Sequence, residues 1–426
     1  MATASGLSRE RFALLFAVML VAASGNTAMQ SLMPSIGREL QIPDLWVAVA
    51  FSLSAVIWVF TAPHWARRAD HRGRRALMRL GLYGFIASML VCGGVLAAGL
   101  AGALAPAAVF VIFVFGRAIY GTWGSASPPA VQAYVAARTE GQQRTVYLSA
   151  IASSFGLGTI IGPAVAPLFI FAPFGLSGPM IVFALVGIAV LAAVATRLPD
   201  DTPSGTARGW ASDYPAIGGI SGGGGLEDEG ADRSPLRWRD PRVFTWHMIG
   251  IVGGHGHAAL LGVIGFLVID RLGLPLSEAQ QSIAIVLMGG AAATLLAQWG
   301  LIPHLGLTPR QLVLWGSVLA AAGSAVTGTA TSMYGITIGF ALASLGFGLF
   351  RPGFTSGASL AVTPAEQNTV AGMVTSVAGV AFVAAPALGV ALYGVALPLP
   401  FLLTAALMLG LALWVWLRFS PSAPAA

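Results

Sequence analysis

One ionisable side chain stands near the middle of an apolar run: Arg117, in VFGRAIYGTWGSASPP. A guanidinium at that depth is costly and lines a cavity or pathway, or finds a partner there. The chemistry it offers is recognition of an anion or control of a nearby proton. Two histidines, His255 and His257 in GGHGHAALLG, lie near the midpoint of another apolar run. Imidazole ordinarily titrates at about 6.5, which suits proton transfer near working pH. Side chains two residues apart point to nearly opposite sides of a helix, so one ligand joins them only where glycines unwind the backbone. Two histidines also fall short of the ligand set of a catalytic metal centre, which argues against a metal site or an intramembrane hydrolase. Packing is the expectation for one histidine and proton acceptance for the other. Arg351, in SLGFGLFRPGFTSGAS, lies about 7 Å past the centre of its run at helical rise; it either snorkels to the inner surface or faces substrate.

The elements around Arg117 are read from spacing. Arg117, Gly121, Gly124 and Pro128 recur at four, three and four residues and therefore share one helix face. In the following stretch Ser154, Gly158, Gly162 and Ala166 form a small-residue stripe for close helix packing, and Pro163 favours a kink. In the first run Asn26 and Gln30 stand one turn apart, placed either to hydrogen-bond between helices or to face a cavity.

With 426 residues, 56% hydrophobic and 9% charged, the chain has far more apolar length than a soluble core needs. Runs long enough to cross a bilayer fall at 12–34, 46–66, 76–100, 104–128, 145–172, 177–197, 243–269, 279–300, 310–330, 332–360, 369–394 and 398–417. The expected fold is an all-α membrane protein of twelve transmembrane helices. All 22 basic residues are arginine; with both termini cytoplasmic, 18 fall inside, two outside (Arg38 and Arg271) and two within the membrane (Arg117 and Arg351), which fixes the orientation. The basic loops meet anionic lipid, and no aromatic interleaving marks a nucleic-acid surface. Cys92, the only cysteine, excludes an intramolecular disulfide and reads as a packing residue.

The two halves repeat. Pro128, Thr145 and Pro163 recur in the second half as Pro352, Thr369 and Pro386, in the same order and at nearly the same spacing. This is a parallel duplication. The expected division is 1–197, a cytoplasmic linker over 198–241 centred on SGGGGLEDEG, and 242–426.

These features resemble the major facilitator superfamily, in particular its twelve-helix drug:proton antiporters. Arg117, Gly121 and Gly124 match the fourth-helix motif, and Gly158, Gly162 and Pro163 the fifth-helix antiporter motif, although Ala166 and Pro167 replace its usual glycine pair. Asp70, Gly73, Arg74 and Arg75 match the signature loop after the second helix, with Ala66 and Arg68 departing from it. The resemblance implies a cytoplasmic gate, with Asp70 near the amino end of the eleventh helix, Gly73 making a tight turn and Arg74 reaching a carboxylate such as Glu140. It implies substrate bound near the bilayer midplane between the halves, alternating access, and no cofactor. The expected function is proton-driven export of a small organic compound by a monomer in a bacterial plasma membrane; nothing in the chain resembles a phosphate-binding loop. None of the 16 acidic residues falls mid-span, and a carrier of permanent cations needs a buried counter-charge, so the substrate is expected to be anionic, zwitterionic or neutral and amphipathic. The rival readings are an uptake symporter and a non-transporting receptor; an enzyme is the weakest, for want of a nucleophile and base.

Overall fold

The computed structural model describes residues 7–136, 138–139, 141–172, 174–199, 236–363 and 366–418. Within these, the side chains at 63, 66–67, 69–71, 136, 141–146, 149, 152–153, 155–156, 277, 367–369, 371–372, 375 and 378 lie outside the description.

The chain divides into two compact units, Met1–Ala231 and Asp232–Ala426. The first holds α1 (Arg9–Glu39), α2 (Asp44–Arg72), α3 (Arg74–Leu100), α4 (Pro106–Trp123, continued below), α5 (Gly141–Val165) and α6 (Gly178–Arg197). The second holds α7 (Pro241–Leu272), α8 (Leu276–Leu295, running through a π turn, Leu296–Leu301, into Ile302–Leu305), α9 (Pro309–Thr329), α10 (Met333–Leu360), α11 (Gln367–Val395) and α12 (Leu399–Arg418). Ten of these helices are long and apolar enough to cross a membrane over their described residues, and α5 and α11 contribute the shorter apolar stretches Leu157–Phe169 and Gly379–Val395. Backbone groups have no partner in hydrocarbon other than the chain itself, which is why apolar runs of this length are helical.

Helix ends follow local chemistry. Ser8 and Ser332 cap α1 and α10 by accepting the amides of Arg11 and Gly335, and Thr308 with Gln311 forms a capping box at α9. Gly73 is the single residue between α2 and α3, at φ +83°, and Gly306 closes α8 at φ +57°; L side chains rarely adopt either conformation.

Packing repeats as the sequence does. In the first unit α1 packs on α5 and α6, α3 on α4 and α6, and α2 on α4; in the second α7 packs on α11 and α12, α9 on α10 and α12, and α8 on α10. Each pair recurs six helices later, so the fold is two parallel six-helix repeats. The small-residue stripe of α5 seats on α1. A β-carbon added at Gly158 would lie 2.6 Å from Ala23 Cβ and 2.8 Å from the Leu20 carbonyl, and Thr27 Oγ1, 2.9 Å from the Ala23 carbonyl of its own helix, lies 3.2 Å from the Gly158 carbonyl.

Two expectations need correction. The shared face of Arg117, Gly121, Gly124 and Pro128 does not persist, because the helix changes to a 3₁₀ turn at Gly124–Ala126 before resuming over Ser127–Ala136. Pro128 and Pro129 are the cause: neither has an N–H for a carbonyl four residues back, and the Gly124 carbonyl instead accepts the Ser127 amide three residues on. The second concerns Asp70, expected in the turn after a helix ending near 66. α2 runs on to Arg72, so Asp70 stands in the last turn of α2 and the turn itself is Gly73 alone.

Candidate functional site

In the first unit the site is built on Arg117. Its side chain is only 3% exposed, although α4 presents Val111, Ile112 and Phe115 outward. Nη1 donates to Asn26 Oδ1 at 2.9 Å and lies 3.8 Å from Met29 Sδ, both on α1. The guanidinium carbon sits 4.5 Å from the centre of the Phe51 ring and 5.3 Å from that of Tyr120. Nε is buried without a hydrogen-bond partner among the described residues. The partners described are an amide, a thioether and two aromatic faces, and none of them carries a negative charge. Asn26 is thus an interhelical partner, while Gln30, one turn on, is half-buried. Cys92 is fully buried on α3, its thiol 3.8 Å from the Phe113 carbonyl of α4.

The neighbouring glycines divide between helices. Gly121 meets α2, where an added β-carbon would stand 2.7 Å from the Ser54 carbonyl, and Gly124 lies under the ring of Tyr120. Gly158 and Gly162 meet α1 as described, and Pro163 lies two residues before α5 passes into the 3₁₀ turn Ala166–Phe169.

In the second unit the two histidines of α7 differ sharply. His255 Nδ1 lies 2.7 Å from the Ile251 carbonyl. A carbonyl only accepts, so Nδ1 carries the hydrogen of this bond and Nε2 stands outside it. His257 instead stacks on Phe347, with centroids 4.6 Å apart and planes 25° apart, and meets Phe382 edge-on at 6.5 Å. Arg351, one turn beyond Phe347 on α10, is half-buried and within electrostatic reach of His257.

Of the expected gate, Gly73 makes the turn and Arg74 opens α3, while the side chain of Asp70 and the whole of Glu140 lie outside the described residues. The sequence reading missed a charged cluster in the second unit. Arg242 donates to Asp240 at the start of α7 and, through both terminal nitrogens, to Glu366 before α11, at 3.0 and 2.8 Å. Thr363 adds its amide and hydroxyl to the same carboxylate. The Arg242 hydrogen bonds, and then those of Thr363, pull Glu366 down to about 2; Arg242 likewise holds Asp240 below the ordinary carboxylate range. Thr363 and Glu366, three apart as in a capping box, were a legible signal. Tyr120, one turn from Arg117, was another; nothing in the sequence pointed to Phe51.

The sequence profile of the Major Facilitator Superfamily matches residues 14–306, more than half of the chain. Multidrug resistance protein 2 of Bacillus subtilis (strain 168) is 25% identical over 411 residues, covering 95% of this chain and 94% of that protein. Among solved structures, a bacterial homolog of the human lysosomal transporter Spinster, inward-facing and unoccupied, superposes with a TM-score of 0.72 at 11% identity, over 96% of this chain and 98% of that one. The human organic anion transporter MFSD10 (TETRAN) gives 0.64 at 17% identity, over 96% and 100%. At these identities the two structures speak for the fold alone. Twelve helices in two parallel repeats, and a profile matched over the first repeat and the opening helices of the second, lead to one assignment: the chain belongs to the Major Facilitator Superfamily and is an integral membrane transporter, not an enzyme.

Proposed function

We propose that the protein exports small anionic, zwitterionic or neutral amphipathic organic compounds across a bacterial plasma membrane, driven by proton entry and working by alternating access as a monomer, with both termini and the 198–241 linker cytoplasmic. The observation that carries the substrate class is the environment of Arg117: a buried cation with no anionic partner among the described residues. A charge-assisted hydrogen bond returns roughly 1.5–3 kcal/mol and a cation–π contact roughly 0.5–2 kcal/mol, against a desolvation cost of several kcal/mol per buried ion. An entering carboxylate supplies the missing counter-charge, and the free Nε supplies a donor for it. Export is supported by the Gly158–Pro163 stripe and by the full-length similarity to a multidrug resistance protein.

For the proton, His255 is the better carrier than His257. Its Nδ1 is anchored on a backbone carbonyl and its Nε2 stands outside that bond, whereas the ring of His257 is committed to Phe347. Asp70, Gly73 and Arg74 are assigned to the cytoplasmic gate.

The test uses inside-out vesicles with an imposed proton gradient and two probes, zwitterionic norfloxacin and the permanent cation ethidium. Norfloxacin should be driven inward, R117A should lose more than tenfold of that flux at normal membrane expression, and ethidium should stay outside. Full flux through R117A, or robust ethidium transport by the parent protein, would overturn the assignment.

A further inference from the structure

The break in α4 two turns after Arg117 is held from outside, by α2. A 3₁₀ turn pairs amides with carbonyls three residues back and leaves carbonyls in the preceding α-turn short of donors. Thr61 Oγ1 lies 2.8 Å from the Gly121 carbonyl, 2.8 Å from the Ile57 carbonyl of its own helix and 2.9 Å from Ser125 Oγ. Trp65 Nε1 donates to the Thr122 carbonyl at 2.5 Å, and Ser54 Oγ to the carbonyl of Arg117 itself at 3.0 Å. Trp65 and Ser54 thus donate to two carbonyls between Arg117 and the break, and Thr61, on the same face of α2, shares its one hydrogen between Ile57 of its own helix and Gly121 of α4. Gly121 permits it, since its missing side chain lets the α2 backbone approach.

The second repeat provides an internal control. Aligning Gly73 with Gly306, the positive-φ residues that close α2 and α8, sets Thr294 on Thr61. Aligning Pro163 with Pro386 sets Ser344 on Gly121. Thr294 Oγ1 lies 3.0 Å from the Gly290 carbonyl of its own helix and 3.2 Å from the Ser344 carbonyl of α10, the counterpart of the shared Thr61 hydrogen. The position of Trp65, however, corresponds to Gln298, and that of Arg117 to Phe340, and α10 runs unbroken over Met333–Leu360. The threonine bond is common to both halves. The tryptophan bond and the break occur together, in the half that carries the arginine.

We propose that Thr61 and Trp65 are positioning residues for Arg117: they hold the α4 break in the geometry that aims the guanidinium at Asn26, so that α2 and the Arg117 segment of α4 move as one body during transport. The role assigned to Arg117 rests on the function proposed above; the clamp itself does not.

Cys92 is a built-in reporter, because it is the only cysteine, is fully buried, and faces α4 where a β-carbon at Gly116 would lie 2.6 Å from its sulfur. The experiment measures N-ethylmaleimide labelling of Cys92 in the full-length protein in lipid vesicles, beside norfloxacin flux, for T61V, T61S and W65F. Removing one hydrogen bond of ordinary strength corresponds to about fivefold in an opening equilibrium. T61V and W65F should label about fivefold faster or more, with maximal flux reduced at least as much and half-saturation within twofold, while T61S stays within twofold of the parent in both. Parental labelling in either T61V or W65F, or faster labelling with undiminished flux, overturns the proposal. Should T61V fail to fold, W65F and T61S still decide it. Labelling uses no substrate, so a transport-competent R117A would sink the reading of Arg117 and leave the labelling result to judge the clamp.

Discussion

Substituting Gly158 by alanine adds one methyl group where α5 rests on α1. That methyl would lie 2.6 Å from Ala23 Cβ, 2.8 Å from the Leu20 carbonyl and 3.0 Å from the Ser24 amide. Apolar atoms rest at about 3.5–4 Å, and two of the three obstacles are backbone, which no rotamer change can clear. The helices must therefore separate by roughly 1 Å, at the overpacking cost of about 1–3 kcal/mol. The Thr27 hydroxyl adds little to this, because its one hydrogen keeps the Ala23 carbonyl of α1 at 2.9 Å when the 3.2 Å contact with Gly158 opens. Alanine recovers about 1 kcal/mol of helix propensity, leaving a net loss of about 1 kcal/mol. For a unit of this size that lowers the unfolding midpoint by roughly 2–4 °C. Gly94 and Gly410 are the controls, since a β-carbon at either meets nothing within 4 Å. G94A and G410A should unfold at or above the parental temperature in a detergent melt. A G158A midpoint equal to theirs would refute the claim that the stripe is set by backbone contact.

The charged and titratable groups carry three further predictions. H255Q should abolish proton movement coupled to norfloxacin in vesicles and H257Q should preserve it; coupling that survives the double variant removes the histidines from the pathway. The Arg242–Glu366 pair has a pH signature: the carboxyl is held at about 2 against an ordinary 4.5, so its contribution is complete above 4.5 and is lost as pH falls through the interval to about 2. E366Q should therefore melt lower than the parent at neutral pH and converge with it in that acid interval, and a constant gap across it would break the assignment. D70N should reduce turnover more than norfloxacin binding, by shifting the balance between inward and outward states; unchanged turnover would leave the loop as a topology anchor.

The helices were legible because a bilayer demands apolar length and a chain cannot conceal it; α10 was expected at 332–360 and spans Met333–Leu360. The repeat was legible because prolines and threonines kept their spacing. The α4 break was written in Pro128 and Pro129 but was lost to a helical-face argument carried straight through them, when two missing amides four residues on should have ended it. Arg117 was legible as an anomaly of polarity. Its partners were not: Phe51 and Asn26 come from other helices, and no local pattern records which aromatic or amide a distant helix will present. The Arg242–Glu366 pair joins residues far apart in the chain, and only the capping-box half of it had a local sign.

The two repeats share an architecture and divide its chemistry, and residue pairs show how. In the alignment of Pro163 with Pro386, Gly158 corresponds to Ala381 and Gly162 to Ala385. Where the first unit brings backbone against backbone, the second inserts methyls, and a β-carbon at Gly254 of α7 would meet Ala381 Cβ at 3.1 Å. The second unit compensates at its start with the Asp240–Arg242–Glu366 cluster. In the alignment of Thr145 with Thr369, the position of Glu366 corresponds to Gln142, which has no charge to offer an arginine. Arg117 corresponds to Phe340, which is buried in the second unit. At the α1–α5 contact of the first unit Gly158 and Gly162 rest on α1 backbone where Ala381 and Ala385 carry methyls in the second, and α1 is the helix that presents the Asn26 amide to Arg117. A methyl at Gly158 should therefore weaken the Asn26–Arg117 contact as well as the helix pair, which ties the cost of the stripe to the proposed transport role of the arginine.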